Sequence, residues 1–123
     1  MRKELIDELR QRHPLLLGPA GEPAIQPSIL CGDGWFNLLD CLCGAVQASA
    51  VAGGHGNVRV EEIKSKYGSL RFYACGLSPA EEAQVALAEA LSERTCETCG
   101  APGSENVRNG WVSTLCTAHL GAD

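Results

Sequence analysis

The strongest constraint on what this chain can fold into lies in its last quarter, where "CETC" (Cys96 to Cys99) is answered by "CTAH" (Cys116 to His119). Cys96 and Cys99 are spaced as a metal knuckle, a tight curl whose backbone N–H groups point at two thiolates. Gly100 follows directly, and glycine adopts the positive φ of such a curl at little cost. If a helix starts at Cys116, residues three apart project from one face, so Cys116 and His119 can reach one ion. Between the half-sites, Asn109-Gly110 is a strong signal for a two-residue hairpin turn. Three thiolates and a neutral imidazole fill a tetrahedral shell and leave no position for water. The pattern therefore predicts one structural zinc ion on Cys96, Cys99, Cys116 and His119, not a catalytic metal.

The rest of the chain decides what such a clamp would hold. At 123 residues it suits one domain: an α+β core over residues 1–94 with a zinc-binding module, 95–123, packed on it. Seven cysteines are an odd number for a disulfide framework, and "MRKELIDELRQRHP" is charged and helical rather than a signal peptide. A reducing cytoplasm is the expected setting, with cysteines as metal ligands or buried thiols. No run of 18 apolar residues occurs, so no membrane span is expected. A net charge of −5 argues against a general nucleic-acid binder but leaves room for a local basic strip.

Periodicity places the elements. Arg2 to Arg12 reads as a helix with Leu5, Ile6 and Leu9 on one side, ended by Pro14. Leu15 to Pro27 is rich in Pro and Gly and reads as an extended surface connector whose leucines can pack inward. A core helix follows, with Asp33 as its expected N-cap and Leu38, Leu39, Leu42 and Val46 at helical spacing; "GGHGN" breaks it. "VRVEEIKSKYGSLRFYAC" reads as a β-hairpin turning at "YGS", and the slip in alternation between Val60 and Ile63 predicts a bulge near Glu61–Glu62. Ser78, Pro79 and Glu81 spell a capped helix start. The fold expected is a small core of helices on a hairpin, plus the zinc module.

The other reactive residues point in several directions. Cys41 and Cys43, two apart on a helix, face nearly opposite ways and cannot share an ion. Cys31 and Cys75 read as buried thiols or, with one of that pair, as a second metal site. His13 and His55 could activate a thiolate, but their Pro- and Gly-flanked positions read as exposed loops. Trp35, Phe36 and Trp111 are candidate partner-facing aromatics, with core packing as the competing role. Arg59, Lys64, Lys66, Tyr67, Arg71 and Tyr73 form a basic, aromatic hairpin that could meet nucleic acid, against the plainer reading of a solvated strand face. The segment from Thr95 onward opposes that alternative, with Glu97, Glu105 and Asp123 against Arg108 alone.

Two resemblances follow from these motifs. The order of knuckle, hairpin and closing ligands is similar to treble-clef zinc modules. A treble-clef nuclease would also need a hairpin histidine, which "VRNGWV" lacks, so no enzyme is expected. Over about Cys31 to Leu120, "CGDGWFNLLDCLC", "IKSKYGSLRFYACG" and "TCETCGAPG…GWVSTLCTAHL" resemble a group of small bacteriophage and prophage proteins of Proteobacteria. The resemblance implies a phage origin, a shared fold and residence in the bacterial host cytoplasm, but no activity. By analogy with short acidic phage proteins, it implies a non-enzymatic accessory protein that binds a host protein, including one of a defence system.

Overall fold

The hairpin is built by its turn. In the computed structural model, which describes residues 1–18, 26–54 and 58–120, Tyr67 and Gly68 both take positive φ, 54° and 75°. That is the two-residue turn whose twist matches two antiparallel strands. It joins β2 (Arg59–Lys66) to β3 (Ser69–Cys75), with Lys66 opposite Ser69. The predicted bulge is present: Val60 pairs with Ala74 and Glu62 with Tyr73, leaving Glu61 as the extra residue. It lets Val60 and Ile63 both be buried although three positions apart.

The sheet also holds a strand that periodicity did not reveal. β1 (Ser28–Leu30) pairs in parallel with β2, placing Ile29 beside Ile63, and the strand order is β1-β2-β3. Three residues are too few for alternation to register. Upstream, α1 (Lys3–Arg12) ends at His13, and Pro14–Leu17 forms a helical turn, α2, rather than the start of an extended connector. Leu16 and Leu17 are buried. Residues 19–25 of that connector, and His55 with the rest of 55–57, lie outside the described residues.

The core helix, α3 (Phe36–Ala52), is entered through a 3-10 turn at Asp33–Trp35. Asp33 does not cap it. Its carboxylate turns to the amino-terminal segment, accepting from the Arg2 backbone N–H at 2.7 Å and pairing with Arg2 Nε at 3.0 Å. Leu39, Leu42, Cys43 and Val46 of α3 pack with Leu9, Leu17, Ile29, Ile63, Leu70 and Phe72. Asp33–Ala52 is also long and apolar enough, by length and composition alone, to cross a membrane, a test that the core helix of a globular fold passes as well. Its buried side is a wall of this core.

α4 (Pro79–Ser92) begins with the predicted capping box: the Glu81 N–H donates to Ser78 Oγ at 3.3 Å and the Ser78 N–H to Glu81 Oε1 at 3.0 Å. The helix runs along the open edge of β3. There the Leu70 N–H donates to Ser92 Oγ at 2.9 Å and the Phe72 N–H to Glu89 Oε2 at 3.1 Å. Side chains thus occupy edge groups that would otherwise pair with another strand.

His13 is not an exposed loop residue. It is 8% exposed, and its Nε2 lies 2.7 Å from Asp40 Oδ1 on α3. That bond, followed by those from Arg12, holds the Asp40 carboxyl below the usual carboxylate range against the opposing effect of burial.

Two predictions follow. Ser92→Ala leaves the buried Leu70 N–H without its acceptor and should cost about 1–3 kcal/mol in urea unfolding. Asp40 has a lower pKa folded than unfolded, so its contribution is present above about pH 4 and lost as pH falls through the lowered value. Asp40→Asn should therefore flatten the acid limb of a stability-against-pH curve.

Candidate metal centre

The carboxy-terminal segment returns its ligands to one point by the hairpin that Asn109-Gly110 signalled. β4 (Ser104–Arg108) and β5 (Trp111–Leu115) pair from Ser104–Leu115 to Arg108–Trp111, with Asn109 and Gly110 at φ 51° and 78°. Cys116 leaves β5 beside the knuckle. The knuckle closes on itself: the Gly100 N–H donates to the Cys96 carbonyl at 2.8 Å and the Cys96 N–H to the Ala101 carbonyl at 2.7 Å, with Gly100 at φ 84°.

Cys96, Cys99, Cys116 and His119 come together, their ligand atoms all within 4.8 Å of one another. Cys99 Sγ lies 3.6 Å from Cys116 Sγ, and His119 Nδ1 lies 3.7 Å from Cys96 Sγ and 3.2 Å from Cys116 Sγ. Ligands about 2.0–2.3 Å from a tetrahedral ion stand roughly 3.5–3.8 Å apart. The cluster is compatible with one metal ion site. His119 reaches it on a single turn, its N–H donating to the Cys116 carbonyl at 3.1 Å, rather than on the expected helix. One turn suffices for residues three apart.

The four groups also compete for protons in a way that a cation relieves. Hydrogen bonding to His119 lowers the Cys116 thiol, and the same bond, with one to Cys96, raises His119. Burial works to raise the Cys96 thiol, but backbone N–H groups of Cys116, Cys99 and Thr98 outweigh it and bring it down to about 6.

Glu97, between the knuckle cysteines, ties this centre to the core. Its carboxylate accepts from the Gly32 N–H and from Ser65 Oγ, each at 2.9 Å. Its carbonyl accepts from the Gly34 N–H at 2.8 Å, and its N–H donates to the Thr114 carbonyl at 3.0 Å. The Trp35 indole N–H donates to the Thr95 carbonyl at 2.9 Å, and Thr114 Oγ1 to the Gly68 carbonyl at 2.6 Å. Gly34 is needed here for space: a Cβ would stand 2.6–2.7 Å from the Gly100 and Cys99 nitrogens. In the sequence Glu97 registers only as a charge, because the two donors to its carboxylate lie 32 and 65 positions away.

The remaining cysteines do not converge on a second ion. Among the described residues the only cluster with metal-binding spacing is the one above. Cys31 and Cys43 are buried, and burial pushes each thiol up to about 12, which disfavours the thiolate that would be the reactive form. Cys41 and Cys75 are exposed.

The candidate partner aromatics divide. Trp35 is fully buried and belongs to the core, which removes it from any partner surface. Phe36 is half-buried beneath the Arg12 guanidinium, 5.5 Å from its ring centre. Trp111 is 76% exposed, beside an open cleft of about 750 Å³ also bordered by Asp33, Thr98, Asn106 and Arg108. Lys66 and Tyr67 stack at the tip of the β2–β3 hairpin, Nζ to ring centre 5.8 Å. Arg59, Lys64, Arg71 and Tyr73 share the outward face of the sheet.

No family model, curated protein or solved structure matches this chain.

Gly34→Ala should force the knuckle off the 3-10 turn, at a cost of about 1–3 kcal/mol from overpacking. A lower denaturation midpoint and faster loss of bound metal to a chelator are the expected readouts.

Proposed function

We propose that this chain is a non-enzymatic, zinc-stabilised accessory protein that acts by binding a host protein in the bacterial cytoplasm. The observation that carries the reading is the closed Cys3His cluster. Its ligand chemistry and tetrahedral spacing suit zinc, and four protein ligands leave no open position at which an ion could activate water. Such an ion contributes to folding rather than to chemistry. The exposed Trp111 beside its cleft is the aromatic best placed to meet a partner, since Trp is favoured at interface hot spots. The resemblance of the Cys31–Leu120 motifs to phage proteins supports a host protein as that partner.

Metal analysis of the purified chain should give one zinc per molecule. Cys99→Ser should release it and unfold at least the segment after α4, because the ion supplies folding free energy there; a variant as stable as the parent would count against a structural ion. For the partner, affinity capture from host lysate should retain one host protein at near-equal amount after nuclease treatment, and Trp111→Ala should abolish its retention. Recovery that is unaffected by Trp111→Ala would remove the cleft from the reading.

A further inference from the structure

The outward face of the β1–β2–β3 sheet is separate from the Trp111 cleft and has a chemistry of its own. Lys64 stands opposite Arg71 and Glu62 opposite Tyr73, while Arg59 pairs with Cys75 and β1 adds Leu30 beside Lys64. The bulge sets this arrangement. The extra residue at Glu61 resets the alternation, so Val60 turns inward and Arg59 joins Lys64 and Arg71 outside.

Charge is distributed unevenly over the molecule. On α1 and its approach three of the four cations are matched: Arg2 pairs with Asp33, Lys3 with Asp7, and Arg12 with Glu8 and Asp40, while Arg10 donates to the Pro27 carbonyl at 2.9 Å. On the sheet face, Arg59 and Arg71 make no ion pair among the described residues, and Lys64 pairs only with Glu62, at 3.4 Å. Lys64 Nζ also lies 5.9 Å from the Tyr73 ring centre. Tyr73 is 44% exposed and Leu30 63% exposed, so flat and apolar surface stands among the cations. A chain of net charge −5 thus keeps, on this face, two arginines with no ion pair among the described residues and a lysine beside an exposed ring.

We propose that this face binds single-stranded nucleic acid, with Arg59, Lys64 and Arg71 on phosphates and Tyr73 stacking a base. Unpaired bases offer the ring an open π-face, whereas in a duplex those faces are already stacked on one another. Glu62 is the opposing charge on the face and limits the affinity. This goes beyond the host-protein reading and does not depend on it.

The test is fluorescence anisotropy of the full-length, zinc-loaded protein with labelled mixed-sequence 15-nucleotide DNA and RNA at 50 mM salt. Saturable binding is expected, with log affinity falling against log salt at a slope of about −2 for three phosphate contacts. Arg59→Glu with Arg71→Glu should weaken it more than about tenfold and Tyr73→Ala by about tenfold, with circular dichroism unchanged. Glu62→Gln should tighten it, and Trp111→Ala should leave it unaltered. The proposal is overturned if neither oligonucleotide binds, or if the double variant binds like the parent. It is equally overturned if a duplex binds as tightly and Tyr73→Ala has no effect. Capture of a host protein that depends on Arg59 and Arg71, without oligonucleotide binding, would reassign the face to an acidic protein.

Discussion

The Glu97 junction is the interaction on which the rest of this structure depends. Its carboxylate bridges the Gly32 N–H and the Ser65 hydroxyl, and its backbone meets Gly34 on one side and Thr114 on the other. One residue therefore joins four segments: the turn that starts α3, strand β2, the knuckle and strand β5. A carboxylate that accepts two hydrogen bonds at 2.9 Å in a half-buried position is satisfied there, and loss of either donor would leave charge poorly solvated. The close approach is made possible by Gly34, where any side chain would collide with the knuckle backbone.

This junction gives the metal cluster a reach beyond its own hairpin. A 25-residue segment, Thr95 to His119, has only short strands and little apolar mass with which to hold itself together. Its burial is confined to a few positions such as Cys96, Thr114 and Cys116. An ion at the cluster would fix the knuckle against the closing turn. The knuckle in turn positions Glu97, and Glu97 braces both the entry to α3 and the middle of β2. Thr114, bonded to the Gly68 carbonyl, extends the brace to the tip of the main hairpin. The Trp111 cleft and the basic sheet face both border elements held in this way, so an ion bound at the cluster would steady both surfaces.

Much of this was legible in the sequence because the physics is local. The capping box at Ser78 and Glu81, the turns at Tyr67-Gly68 and Asn109-Gly110, and the bulge at Glu61 each depend on residues within a few positions of one another. The ligand set was legible for the same reason, since knuckle and turn bring each pair together independently. Asp33 was misread because a cap signal is ambiguous when a residue across the chain, here Arg2, competes for the carboxylate. His13 was misread because a Pro neighbour says nothing of Asp40, 27 positions on.

What the sequence determined by itself is the longer elements with their turns and the grouping of the Cys and His residues: local backbone preferences and residue spacing act over a few residues and need no tertiary context. What only the tertiary structure decided is how those parts meet. The parallel β1 strand is too short to have a period, and its pairing with Ile63 exists only once the chain has folded back. The choice between core and surface for Trp35 and Trp111 could not be read from two similar aromatic positions; it follows from whether an indole N–H finds a carbonyl inside, as Trp35 finds Thr95. Glu97 is the same case: a carboxylate acquires a structural role only when distant donors converge on it, and convergence is a property of the fold.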